Sequence, residues 1–226
     1  MRPPRLWIFL LVLMAAPLAA AEPSVDGDER QRRAMLEAGE TGDAAAIYRL
    51  VSAGAKVDVT DEAQRTPLFM AVTANRLDAV KQLLAEGANV NARANDRATP
   101  WLLAAGLGRT QMLRLMIPHK PDLTLLDRFG DTALSAACEA GFPDTVQVLL
   151  TLPVDVNHRN ALGWTCLIEM AFVSDGGPAQ QAIAAAVLKA GADPNIADAH
   201  GKTALAHAEA RKLAALAAIL KAHGGK

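Results

Sequence analysis

The chain has 226 residues, 51% of them apolar and only 4% aromatic, and a formal charge of −1. That composition suits a helical protein with an alanine- and leucine-rich core, long enough for one sizeable domain. The near-neutral charge argues against nucleic acid or an acidic membrane surface as partner, since the one basic cluster, Arg30, Arg32 and Arg33, is short and sits beside Asp28 and Glu29.

Residues 1–21 read as a secretory signal peptide. Arg2 and Arg5 precede an apolar run of 11 residues, LWIFLLVLMAA, and a small-residue site, AAA at 19–21, follows. The run is short for a bilayer span, which takes about 20 apolar residues, and the alternative is an uncleaved anchor. No cysteine stands near the cleavage site and no Arg-Arg pair precedes the run, which argues against lipoprotein processing and twin-arginine export. Residues 22–29, EPSVDGDE, are polar and acidic and are expected to form a flexible lead-in. From about residue 30 the text is periodic to its end, which predicts one domain over 30–226.

The period is carried by a phrase that opens on threonine: TPLFMAV at 66, TPWLLAA at 99, TALSAAC at 132, TCLIEMA at 165 and TALAHAE at 203. The steps are 33, 33, 33 and 38 residues. Each threonine is placed to cap a helix, and Pro67 and Pro100 suit the first helical position. About nine residues on stands a helix stop (Asn75, Gly108 or Gly141), then a second amphipathic stretch ending in an apolar pair such as Leu83-Leu84 or Leu149-Leu150. A loop phrase follows, GANVN at 87–91 or GADPN at 191–195, and a tight turn carrying Gly130, Gly163 or Gly201 leads to the next threonine.

These residues resemble the ankyrin repeat, D-x-x-G-x-T-P-L-H-x-A followed by LL-x-x-GA-D-x-N. The resemblance covers nearly all of the chain after residue 30 and implies an all-α solenoid of six helix-turn-helix repeats with hairpin-like turns, at about 30–60, 61–93, 94–126, 127–159, 160–197 and 198–226. The first is degenerate, with Arg33 where Thr66 stands in the second. The family histidine is missing throughout, replaced by Phe69, Leu102, Ser135, Ile168 and Ala206. Trp101 stands at an inward leucine position and is expected in the core, and Lys221 gives the last repeat a polar outer face.

Little in the chain points to catalysis. HGKT at 200–203 imitates the end of a phosphate loop, but Ile196 stands where the loop needs glycine. The five histidines lack metal-ligand spacing, and His158 and His200 fall in exposed turns. Glu169 and Glu209 on inner helices read as partner contacts or solvated charges. Cys138 and Cys166 are expected as free, buried thiols. Their five-residue difference in repeat position adds about 7.5 Å along parallel helices already about 10 Å apart, beyond the roughly 7 Å that a bridge tolerates.

What remains is surface. In the ankyrin family, partners meet the turn tips and the exposed side of the inner helices. By register that face carries Arg128, Phe129 and Asp131 in repeat four, and Leu162, Trp164, Phe172 and Val173 in repeat five. Apolar residues there suggest an interface; for Phe172 and Val173 a position beneath the loop at 174–178 stays open. That loop, SDGGP, supplies the five extra residues of repeat five and is either a neutral insertion or part of the binding face. The expectation is a non-catalytic periplasmic module, without cofactor, that binds a protein of unknown identity, with no nucleic acid or small-molecule substrate, and touches membrane only if residues 1–21 are retained. The alternative is a membrane-tethered structural or oxidative-stress-associated envelope protein.

Overall fold

A computed structural model describes residues 25–226. Its inner helices begin where the threonines predict: α3 (Pro67–Thr73), α5 (Pro100–Gly106), α7 (Ala133–Ala140), α9 (Cys166–Val173) and α11 (Ala204–Ala210). In each, the threonine is extended and its hydroxyl accepts the amide three residues on, at 3.1–3.4 Å, which satisfies one of the donors a helix start leaves open. Four of them stop at left-handed residues, Asn75 (φ 57°), Gly108 (φ 64°), Gly141 (φ 76°) and Lys212 (φ 61°), whereas α9 ends at the extended Ser174.

The outer helices are α4 (Leu77–Ala85), α6 (Thr110–Met116), α8 (Pro143–Leu149), α10 (Pro178–Lys189) and α12 (Ala214–Ala222). With α1 (Val25–Thr41) and α2 (Ala44–Ser52), the described residues form six helix pairs, each stacked on the next. Leu68, Trp101, Leu134 and Ile168 from the inner row, and Leu83, Leu113, Leu149 and Ile183 from the outer row, fill one continuous core. Trp101 is buried as expected. Lys221 is exposed and pairs with Glu209 at 2.7 Å. No helix among the described residues is long and apolar enough to cross a membrane.

The turn tips hold themselves together. The first residue of the tip, aspartate or asparagine, folds back on amides two and four residues ahead. Asp127 accepts from Phe129 and Asp131, Asn160 from Leu162 and Trp164, and Asp198 from His200 and Lys202, all at 2.7–3.0 Å. Tips also bond to each other: the Ala161 amide donates to the Phe129 carbonyl at 3.0 Å.

Three expectations need correction or fall outside the structure. Residues 25–29 of the expected lead-in are not a flexible segment but the start of α1. Without a threonine cap in the first repeat nothing halts this helix, and Arg32 ties it down, gripping Glu29 at 2.7 Å and donating to the Thr60 carbonyl at 2.6 Å. Residues 1–24, and so the signal peptide, lie outside the described residues.

Cys138 and Cys166 are not free thiols but a disulfide, their Cα atoms 5.6 Å apart. The error lay in treating successive inner helices as level. They are staggered, so the residue six after one threonine position lies beside the residue one after the next. The same seam brings Gly39 so close to Pro67 that a Cβ on the glycine would sit 2.5 Å from the proline carbonyl oxygen. The stagger cancels the five-residue offset between the cysteines.

Candidate functional site

The tips of repeats four and five and the end of α9 gather the apolar residues singled out in the sequence. Phe129 and Leu162 are more than half exposed (55% and 56%), and Phe172 and Val173 nearly so (45% and 48%). The last two therefore lie on the open face and not beneath the loop. Trp164 is half-buried and packs on Phe172, ring centroids 4.6 Å apart, and Phe172 in turn meets His207 edge-on at 5.4 Å. Arg128 is exposed and lays its guanidinium over the Phe129 ring, 4.6 Å from the centroid.

Residues 174–177 pack on repeat six. Arg211 donates to the carbonyls of Ala171, at 3.1 Å, and Ser174. Gln181 holds the Gly176 carbonyl at 2.8 Å. The insertion is thus pinned to its neighbour.

Between the two tips lies a cleft of about 290 Å³, walled by Phe129, Leu162 and Trp164 with Arg128 at its edge. Its floor differs from expectation. Asp131, assigned by register to the exposed tip, is only 4% exposed, and Glu169, read as a partner contact or solvated charge, is only 2% exposed. Asn160 donates to Glu169 Oε1 at 2.8 Å. The other Glu169 oxygen, Oε2, and Asp131 Oδ1 are both buried beyond reach of any N–H, and Glu169 and Asp131 meet through a hydrogen bond that needs a proton on one of the two carboxyls.

Burial, then the charge of Asp131 and its hydrogen bond with Glu169, then Glu139 push the Glu169 carboxyl up to about 10, with Asn160 opposing them. Glu139, on α7 at the cleft, is raised as well, by partial desolvation and by Asp131 and Asp127. Two carboxyls in one dry place cannot both ionise, so Glu169 keeps its proton at neutral pH.

The same two repeat positions make a different pair in repeat six, where His207 Nε2 lies 2.8 Å from Asp198 Oδ2. Burial pushes Asp198 up, but the Lys202 amide, the His207 ring and the His200 amide outweigh it and hold the carboxyl at about 2. Sequence reasoning missed Asn160 and misplaced Glu169. One signal was available. The tip opens on Asp61, Asp127 and Asp198 in other repeats, and asparagine replaces aspartate where the residue nine further on is glutamate.

The family model described as ankyrin repeats (3 copies) matches residues 12–94, 34–126, 68–160 and 101–198. The chain is 42% identical over 114 residues to the ankyrin repeat protein YahD of Escherichia coli (strain K12), covering 50% of this chain and 57% of that protein. It is 34% identical over 103 residues to human ankyrin repeat and SOCS box protein 6, covering 45% of this chain and 24% of that one. The match thus spans little more than half of the first relative and about a quarter of the second. The crystal structure of an ankyrin repeat domain from Acinetobacter baumannii AYE superposes with a TM-score of 0.82 at 38% identity, over 85% of this chain and 98% of that domain.

Proposed function

The chain belongs to the ankyrin-repeat family, whose members are protein–protein interaction modules, and from that premise we propose that it is an exported, non-catalytic module that binds a partner protein through repeats four and five. One observation carries this reading: Phe129, Leu162 and Phe172, large apolar side chains left exposed, gather about Trp164, and Val173 beside Phe172 is exposed as well. Water-exposed apolar area of this kind is costly unless a partner covers it, and aromatic anchors commonly dominate such interfaces. The tips and inner helices offer room for the roughly 800 Å² that a specific complex buries on each side. The positive-then-apolar opening at 1–21 supports export, as does the disulfide, since such bonds persist in oxidising compartments.

The test is photo-crosslinking in cells from a reactive residue in place of Leu162, with Lys81 on the outer helix α4 as control. A discrete adduct from 162, lost when Phe172→Asp is added and missing from 81, supports the face. Equal adducts from both positions, or none from 162, refute it. N-terminal sequencing of the same protein reads the export step: a chain starting at Glu22 supports a released module, and one starting at Met1 supports a tethered one.

A further inference from the structure

We propose that the face of repeats four and five takes an acidic segment of the partner protein. An apolar side chain of that segment enters the cleft between Phe129, Leu162 and Trp164, and its carboxylates meet Arg128 at one end of the face and Arg211 at the other. The inference deepens the binding face proposed above and rests on it.

The two guanidiniums are the starting point. Both arginines are exposed, and both touch the apolar face. Arg128 lies over the Phe129 ring. Arg211 reaches from α11 to the end of α9 and gives Nη1 to the carbonyls of Ala171 and Ser174, the residues that bracket Phe172 and Val173. These contacts hold the heads in place and use little of their hydrogen-bonding capacity. Among the described residues the Arg128 side chain donates no hydrogen bond, and Nε and Nη2 of Arg211 are not used. Each head therefore keeps an edge that a carboxylate can meet with two parallel bonds. A cation positioned before binding loses less freedom on binding than a loose one.

Neither arginine finds an acid among the described residues, whereas Arg32, Arg49, Arg65, Lys81 and Lys221 each do. The nearby acids are otherwise engaged. Asp131 and Glu169 are buried and closed on each other. Glu139, at the cleft, is raised by partial desolvation and by Asp131 and Asp127, the reverse of what an adjacent cation does. Asp175, in the insertion, accepts the Gly177 amide through Oδ1.

This arrangement sorts the groups of a ligand. Asp131 and Glu139 repel a carboxylate from the cleft itself, whose walls are apolar, so an uncharged side chain fits there and the acids go to the flanks. The cleft, about 290 Å³, has room for one large side chain. A flat anionic membrane would answer the arginines and leave that cleft unfilled, which favours a protein segment.

The experiment titrates the full chain with the peptide acetyl-Glu-Glu-Ser-Leu-Phe-Ser-Glu-Glu amide, following the Trp164 indole N–H by NMR. The comparison probes are the same peptide with lysine for every glutamate, one with serine for leucine and phenylalanine, and vesicles of phosphatidylglycerol. The expected result is a shift with the first peptide alone, weakening as salt rises from about 50 to about 300 mM. Arg128→Gln and Arg211→Gln should each loosen binding about two- to fivefold, the worth of an exposed ion pair, and the lysine variants should lose less. Arg128→Gln removes no backbone contact, so it keeps the test sharp if Arg211→Gln frees the insertion. No shift with the acidic peptide, equal binding of the lysine or serine peptide, a stronger response to the vesicles, or unaltered binding in Arg128→Gln overturns the proposal. If the peptide fails while Leu162 still crosslinks a partner, the acidic segment falls and the binding face stands. If the peptide binds and no crosslink forms, the assignment to a protein partner falls.

Discussion

Replacing Glu169 with glutamine should stabilise the protein at neutral pH, by an amount that grows with pH. The wild-type carboxyl sits at about 10 in the folded chain against 4.5 for an ordinary glutamate. An acid raised in this way binds more protons folded than unfolded, so its contribution to stability is greatest below pH 4.5 and is lost as pH rises toward 10. Each unit in that window costs on the order of 1 kcal/mol, so the site takes roughly 2–3 kcal/mol out of stability between pH 5.5 and 7.5. Glu139, raised in the same direction, steepens the loss. In Glu169→Gln the side-chain carbonyl can still accept from Asn160, while the new amide can donate to Asp131 Oδ1, and no proton uptake remains. Urea unfolding of both proteins at pH 5.5, 6.5 and 7.5, without reductant, measures the difference; hydrogen exchange in α7 and α9 places it in repeats four and five. Parallel stability profiles for the two proteins would refute the account, because they would mean that Glu169 ionises as freely folded as unfolded.

Two further outcomes follow from the seam between inner helices. The intact protein should weigh two hydrogens less than its reduced form, and reduction should cost about 3–4 kcal/mol by the chain-entropy argument for a bridge with a sequence separation of 28 residues; an unchanged urea midpoint on reduction contradicts the bridge. Gly39→Ala should lose about 1–3 kcal/mol, the usual cost of overpacking, because its Cβ has the Pro67 backbone in the way; a neutral change would mean that the first repeat can shift outward.

The architecture was legible because it depends on local chemistry repeated in register. A threonine that caps a helix does so wherever it recurs, and five such caps formed at the five predicted places. The stops at Asn75, Gly108 and Gly141 and the buried Trp101 follow from the same register. What the sequence hid depends on how one repeat sits on the next. The stagger that joins Cys138 to Cys166 is a rigid-body property of stacked helices and leaves no mark in either repeat alone. The early start of α1 was hidden for another reason: acidic, polar residues resemble a linker until Arg32 is seen to reach Thr60. Of the candidate surface, Arg128, Phe129, Leu162, Phe172 and Val173 proved exposed, Trp164 half-buried and Asp131 buried, since the residue just before the threonine turns inward at Asp131.

The comparison of repeats five and six shows how little separates packing from a site. Both use the first residue of the tip and the residue nine positions on. Asp198 and His207 form a closed pair: the ring answers the carboxylate, two backbone amides satisfy its other oxygen, and the carboxyl is held at about 2. Asn160 and Glu169 occupy the same geometry with one bond made, and Glu169 meets the aspartate of the preceding repeat through a hydrogen bond that needs a proton on one of the two carboxyls. Repeat six therefore seals its pair with charge, whereas repeat five, next to Asp131, seals its pair with a proton that Glu169 keeps at neutral pH. The rim and the floor are thus separable: the exposed apolar side chains can meet a partner while the acid pair beneath them stays closed.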